Sequence, residues 1–277
     1  MSDVIIGAGI TGFVAKTFLP DAKIFALGGG VLPSPFIVWK DKYTEKWLAE
    51  NNIQHKEVDY SIEYIGDNFK KYNALTKKED ENKPCEGKTK IKGFSLSNLP
   101  KLDFERKTVT SVEQNVMLGN GFMQTFNKAV WTAPVDETTF DGLSSSAKYY
   151  PVSFIQFEDT DSDGENKLVY LLDDEFLDKN IYRATKENGT ITFEYFGALD
   201  FDNFLPFNRF LHEKFTNLGT IKNEWCNKKA VVEAKSKLTS INKNILFVGR
   251  YAQCDHEIKT NDVIKRFYEY QKEGWFD

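Results

Sequence analysis

Three glycines near the start of the chain carry the clearest chemical pattern. Gly7, Gly9 and Gly12 stand as G-x-G-x-x-G in the segment VIIGAGITGF. The spacing has a physical reading. Gly7 permits a tight turn, Gly9 lets backbone amides approach a pyrophosphate, and Gly12 lets a helix pack closely on a strand. The motif directly follows an apolar run and opens a helical pattern, which is the context it requires. The first helical turn, with Ile10 and Thr11, then offers free N–H groups and a partial positive charge to phosphates. A dinucleotide site is the expectation; a purely structural glycine turn is the alternative.

Other residues could add chemistry. His256 lies in the segment QCDHEIKTND and could titrate near neutrality as an acid or base, or be an exposed polar residue. Arg183, in NIYRAT, could bind a carboxylate or phosphate, or lie on a strand surface. Tyr182, Glu194 and Tyr195 fall on neighbouring predicted strands, one face of which should wall a substrate pocket. Strand parity sets Arg183 opposite Tyr182, so only one of the two should face that pocket. Cys85, Cys226 and Cys254 lie far apart with no C-x-x-C, which argues against structural zinc and against a disulfide framework. No cluster has metal-ligand spacing. Neither G-x-S-x-G nor a P-loop occurs, which disfavours hydrolase and NTPase readings.

The elements that must position these residues follow from the pattern. Residues 3–30 read as strand, turn, helix, strand: a compact βαβ unit ending at Gly28, Gly29 and Gly30. The second strand should end in an acid to bind an adenosine ribose, but Ala26 and Leu27 stand there, and no arginine in that segment could take a ribose phosphate instead. DKYTEKWLAENNI reads as a helix with Asp41 as cap. Residues 77–92 read as an exposed loop. Residues 102–143 turn β-like, with a hairpin at Asn120-Gly121. Residues 149–197 alternate as an antiparallel meander. PFNRFLHEKFTNL reads as a helix with Pro206 near its start, NILFVG as a buried parallel strand, and TNDVIKRFYEYQKE as a terminal helix capped by Thr260 or Asn261.

Composition sets the outer limits. Of 277 residues, 41% are hydrophobic and 14% aromatic, too many to leave unburied, so a folded core is required. No apolar run approaches the length of a membrane span, and the start lacks a basic region ahead of its apolar stretch. Unpaired cysteines and no leader pattern give the expectation of an intracellular, cytoplasmic protein. The net charge of −5 gives no support to nucleic acid as the main partner.

Two further segments carry a resemblance. FNKAVWTAPVDETTFDGL, with Thr132-x-Pro134, and NILFVGRYAQCDHEIKTNDVIKRFYEY, with Gly249-Arg250 and a terminal helix, resemble the corresponding stretches of FAD-dependent amine-oxidase-type flavoproteins. With YLLDDEFLDKNIYRATKENGTITFEYFG they look most like UDP-galactopyranose mutase and its protoporphyrinogen-oxidase-like relatives. The resemblance spans three blocks, about half the chain, and the chain is shorter than those mutases, which implies a reduced substrate domain.

It implies an α/β fold with a Rossmann-type FAD-binding domain from 1–30, 102–145 and 240–277. An antiparallel-sheet α+β substrate domain, 146–239 with part of 31–101, would be inserted. By position, Gly7, Gly9, Ile10, Thr11, Gly12, Gly28 and Gly29 would serve the FAD phosphates, bordered by Thr132 and Pro134. Gly249 and Arg250 would lie near the ribityl phosphate. Asn261, Asp262 and Val263 would present N–H groups to the flavin pyrimidine edge. His256, Arg183 and Tyr195 are the catalytic candidates. The implied chemistry is oxidation at a carbon bearing nitrogen by hydride transfer to flavin N5, with a small molecule or modified nucleotide as substrate; imine hydrolysis would make it a net lyase. Alternatives are a flavin-dependent lyase trimming amino-acid-modified thymidine in phage DNA, a sugar mutase with Arg183 and Arg209 as diphosphate clamp, and a non-catalytic nucleotide-binding protein.

Overall fold

The computed structural model describes residues 1–29, 36–77, 84–96, 99, 101–135, 148–161, 164–199, 201–233, 240–253, 255 and 257–276. The chain divides into two compact units. The first comprises Met1–Lys56, Phe94–Lys148 and Val232–Asp277, the second Glu57–Gly93 and Tyr149–Val231. In chain order the elements are β1 (Ser2–Ala8), α1 (Ile10–Phe18), β2 (Lys23–Gly29), β3 (Phe36–Trp39), α2 (Lys42–Glu50), β4 (Lys56–Gly66), α3 (Phe69–Leu75) and β5 (Lys90–Leu96). Then come β6 (Glu105–Arg106), β7 (Val109–Glu113), β8 (Val116–Gly119), β9 (Phe122–Trp131), β10 (Lys148–Asp159), β11 (Asn166–Leu172) and α4 (Asp174–Leu177). The chain ends with β12 (Ile181–Glu187), β13 (Thr190–Phe196), α5 (Phe201–Lys214), β14 (Leu218–Glu233), β15 (Ser240–Asn242), β16 (Ile245–Phe247) and α6 (Thr260–Lys272).

The first unit is built on a sheet of order β15-β16-β9-β1-β2-β6. Its inner pairs, β16 with β9, β9 with β1, β1 with β2 and β2 with β6, are parallel. A parallel sheet needs cover on both faces, and these strands are apolar on both. Ile5, Ile24, Ala26, Val130 and Leu246 pack under α1, α2 and α6, against Phe13, Val14, Trp47, Val263 and Phe267. On the opposite face Val4, Ile6, Phe25, Ala129, Trp131 and Phe247 pack with Met117 and Phe126 of the β7-β8-β9 meander. The Asn120-Gly121 hairpin closes β8 onto β9 with Gly119 opposite Phe122, and Gly121 takes φ +78°. α2 begins where the sequence places it: the Asp41 carboxylate accepts from the amides of Tyr43 and Thr44 at 2.9 and 2.8 Å. Trp47 then donates to Thr17 Oγ1 at 2.9 Å, fastening α2 to α1.

The second unit is a sheet running β14-β10-β13-β12-β11-β4-β5. β11, β12 and β13 form the expected antiparallel meander, and β10 joins beyond β13, also antiparallel. β4, a strand the sequence reading did not assign, pairs with β11 in parallel, so the sheet is mixed. One face is closed by α4 and α5, with Phe176, Phe207, Phe210 and Leu211 against Ile155, Phe157 and Phe193. Helix α5 starts earlier than the sequence suggested, so Pro206 lies inside it. Among the described residues no helix is long and apolar enough to cross a membrane.

Candidate functional site

The glycine motif sits at the carboxyl end of β1, in the first unit. Gly7 takes φ +112°, and a Cβ there would lie 2.4 Å from Thr132 Oγ1. A Cβ at Gly12 would lie 2.1 Å from the carbonyl oxygen of Gly7. Both glycines are therefore required by the protein's own packing. Gly9 and Gly28 differ, because a Cβ on either would meet none of the described residues within 4 Å. The protein leaves space at these two positions, at the ends of neighbouring strands β1 and β2, where Ala8 pairs with Gly29.

Thr132 holds the turn from the other side. Its Oγ1 donates to Ile6 O at 2.9 Å, and the amides of Thr132 and Ala133 donate to the same carbonyl at 2.8 and 3.0 Å. Pro134 follows half-buried, and Val135 turns into the core. The Thr-x-Pro segment thus shapes the turn of β1 through the Thr132 hydroxyl and two backbone amides.

Gly9 caps α1 without a side-chain hydrogen bond, and α1 has no acid in its first turn. The first amide with an intrahelical acceptor is Phe13, which donates to Gly9 O at 2.9 Å. The N–H groups of Ile10, Thr11 and Gly12 precede it and form an electropositive helix end beside the open space at Gly9. Their side chains turn elsewhere. Ile10 packs on the core, and Thr11 lies against Gly249, whose Cβ would come within 2.7 Å of Thr11 Oγ1. What Ile10 and Thr11 offer a ligand is backbone.

Gly249, at φ +91°, opens the loop after β16, and its amide donates to Gln253 Oε1 at 3.0 Å. Arg250 follows, half-buried, and its carbonyl accepts from Asp255 N. Cys254 and His256 lie outside the described residues.

Helix α6 departs from expectation at its start. Lys259 is the cap residue, and the Asp262 carboxylate turns back to accept from Lys259 N at 2.9 Å. Val263 donates its amide to Lys259 O at 3.1 Å, so the helix's own bonding removes it from the N–H groups on offer; those of Thr260, Asn261 and Asp262 remain. Asp262 also meets part of the positive helix pole with its own charge. Asn261 donates to Asp41 Oδ2 at 3.2 Å, while its Oδ1 is buried with no partner. A buried acceptor without a donor is costly in a protein, and a water or a ligand N–H would satisfy it.

The end of β2 bears no acid. Ala26 is buried and Leu27 is 65% exposed. The topology places β6 alongside, with Ala26 opposite Arg106 and Phe25 opposite Glu105. No local sequence signal marks this neighbour, since β6 is only two residues long and lies far from β2 in sequence.

The second unit carries a separate polar cluster on the sheet face away from α5. Glu194 is buried; its Oε2 accepts from Tyr182 OH at 2.6 Å and its Oε1 from Arg183 Nε at 2.7 Å. Both neighbours reach one carboxylate because the register shifts between Ile181 and Arg183, a bulge that turns both side chains to the same side. The parity expectation is overturned by that extra residue. Tyr182 packs edge-on to Tyr72, and Tyr72 to Tyr170, whose hydroxyl lies 3.2 Å from Cys85 Sγ.

Burial, reinforced by the Glu194 charge and opposed by Arg183, holds the Tyr182 phenol well above its usual range. Desolvation pulls Arg183 downward, but Glu194 and the surrounding tyrosines outweigh it and keep the guanidinium charged. Tyr182 is thus a fixed donor, and Arg183 a permanent cation with 35% of its side chain exposed. Its charge is largely matched by Glu194. Tyr195, next along β13, points the other way and packs edge-on to Phe207, ring centroids 5.5 Å apart. It belongs to the core and does not join Arg183. Arg209 is paired with Glu213 on α5 at 2.9 Å. Among the described residues no three His, Cys, Asp or Glu side chains gather as a metal site.

No protein-family pattern matches the chain, and no curated protein matches it in sequence. Solved structures match its fold. An oxidoreductase from Methanosarcina mazei superposes with TM-score 0.60 at 10% identity, covering 98% of this chain and all (100%) of that one. A flavin-dependent halogenase from Xanthomonas campestris gives TM-score 0.58 at 10% identity over 98% of this chain and 70% of its own. L-proline dehydrogenase from P. horikoshii gives 0.55 at 12% identity over 99% and 93%. The chain has the mixed α/β, Rossmann-like fold of these enzymes.

Proposed function

We propose that this chain is an FAD-dependent oxidoreductase that acts on a C–N bond. The cradle carries the reading. Gly7 and Gly12 are fixed by internal packing, while Gly9 and Gly28 leave space that no described side chain fills, beside an α1 terminus free of acids and side-chain caps. That arrangement suits a pyrophosphate, and the buried, unpartnered Asn261 Oδ1 suits an N–H on the cofactor's ring edge. The residues present fit the group.

In this reading Ile10, Thr11 and Gly12 bind the phosphates through their amides, with Gly28 and Gly29 alongside. Thr132 and Pro134 fix the turn, Gly249 and Arg250 border the ribityl side, and Asn261 and Asp262 meet the pyrimidine edge. When bound, the flavin supplies a two-electron acceptor. Arg183 is the candidate for an anionic group, through the part of its guanidinium that Glu194 leaves uncovered, and His256 the candidate for a proton. Two things support the choice of C–N oxidation. One is the amine-oxidase-like sequence blocks; the other is the shared fold with an L-proline dehydrogenase, since proline is an amine.

The test has two stages. The purified protein is denatured and any released chromophore identified; then the native protein is mixed anaerobically with amines and amino acids. Bleaching of bound flavin by an amine supports the proposal. A protein that holds FAD but is bleached by none of them, nor by modified DNA, is a binding protein. A protein that takes up no FAD overturns the reading.

A further inference from the structure

We propose that Arg106 holds the adenosine half of the bound dinucleotide, in the place where a carboxylate would be expected, and that the site thereby accepts a phosphate on the adenosine ribose. The inference rests on the FAD reading above and adds a residue to it.

In a sheet of this kind the nucleotide lies outside the carboxyl ends of the strands, and the ribose falls at the end of the second strand. A carboxylate there accepts hydrogen bonds from ribose hydroxyls and repels a ribose phosphate. Here Ala26 cannot do either, and Gly28 leaves open space. The register supplies what β2 lacks. Ile24 and Ala26 of β2 share one face, and Arg106, paired with Ala26, lies on that face at the sheet's edge, just before the register shift that separates Phe25 from Gly29. Arg106 is exposed, and among the described residues its side chain has neither an ion-pair nor a hydrogen-bond partner.

The other charges of β6 are accounted for. Glu105 pairs with Phe25 and so lies on the opposite face, where Lys107 Nζ holds it at 2.6 Å. Lys107 itself lies over the Phe25 and Phe122 rings, 5.3 and 4.8 Å from their centroids. Among the described residues, the acid that β6 brings beside β2 is therefore turned away and neutralised, and the charge on the face shared with Ala26 is a guanidinium. A guanidinium donates to ribose oxygens, stacks on an adenine ring, and pairs bidentately with phosphate.

The experiment measures binding by the full-length apoprotein. FAD and FMN are titrated into wild type, Arg106→Gln and Arg106→Glu; 5′-ADP and adenosine 2′,5′-bisphosphate are titrated by calorimetry. Arg106 is exposed, so both variants should unfold at the wild-type temperature. The expected result is an FAD affinity about tenfold weaker in Arg106→Gln with FMN affinity unchanged, since FMN lacks the adenosine half. Wild type should bind the bisphosphate at least as tightly as 5′-ADP, and Arg106→Glu should reverse that order. Equal FAD affinities in wild type and Arg106→Gln, or wild-type rejection of the bisphosphate, overturn the inference and leave the FAD reading intact. If wild type takes up no FAD, that reading falls, and the two adenosine nucleotides still decide the role of Arg106. If it binds neither of them, the inference falls too.

Discussion

Four glycines do two different jobs, and a single methyl group separates them. At Gly12 an added Cβ would press on the Gly7 carbonyl at 2.1 Å, and neither backbone can yield easily. Gly12→Ala should cost about 3 kcal/mol of stability, seen as a lower urea midpoint without cofactor. At Gly9 the backbone is extended at φ −84° and the Cβ position is empty. Gly9→Ala should leave the apoprotein within about 1 kcal/mol of wild type, since the smaller unfolded-state entropy offsets alanine's poorer fit at a helix cap, while sharply weakening cofactor uptake. A Gly9→Ala protein that binds FAD like wild type would remove the cradle argument. In the second unit, Tyr182→Phe deprives the buried Glu194 of one donor and should cost about 1.5–3 kcal/mol, read by the same titration. The glycine spacing was legible in the sequence because each role follows from a missing side chain. The Tyr182–Arg183 arrangement was not, because a one-residue bulge reverses parity and leaves no local signature.

At the level of elements, Asp159 and Lys186 join β10 to β12 inside the second unit. Lys186 Nζ lies 2.8 Å from Asp159 Oδ2, and the other carboxylate oxygen accepts from Asn217 Nδ2 at 2.7 Å. Burial alone would raise the pKa of Asp159; the bonds from Lys186, Asn217 and the Asp161 amide outweigh it and bring it below the usual range. A folded pKa below the unfolded one gives stability that is present above the unfolded value and fades as pH falls through the folded one. Lys186→Met leaves the buried carboxylate without its cation and should cost about 3 kcal/mol near neutral pH. The penalty should shrink as pH drops toward the carboxylate range, because a protonated Asp159 no longer needs a cation. A difference between wild type and variant that stays constant from pH 7 to the acid limb of the unfolding curve would argue against the ion pair. The first βαβ, the hairpin at Asn120-Gly121 and α2 with its Asp41 cap were readable, since each rests on contacts close in sequence. β4 and β14 were not. Their exposed positions carry Lys, Glu and Asn, and what makes them strands is their partners, β11 across a long stretch of chain and β10. The cap of α6 was misplaced for a related reason: Asp262 serves Lys259, and Asn261 is drawn to Asp41, a residue far away in sequence.

For the whole molecule, the chain threads the first unit three times and the second twice, so neither is a contiguous piece of sequence. The residues of the proposed cradle, Gly7–Gly12, Gly28, Thr132, Gly249 and the start of α6, all belong to the first unit. A ligand held by three separate stretches of chain binds the folded state and has no equivalent site in the unfolded one, so its binding free energy adds directly to stability. At a free FAD concentration 100 times its dissociation constant the gain is about 2.7 kcal/mol. For a unit of this size that corresponds to an upward shift of roughly 5–10 °C in the unfolding midpoint. Four of the five tryptophans, Trp39, Trp47, Trp131 and Trp275, lie in the first unit, so their fluorescence reports its unfolding. The midpoint they record should climb with the logarithm of FAD concentration and climb less with FMN, which leaves the β2–β6 edge empty. A midpoint indifferent to FAD across that range would mean that the open space at Gly9 and Gly28 does not serve this dinucleotide, and that another ligand must account for it.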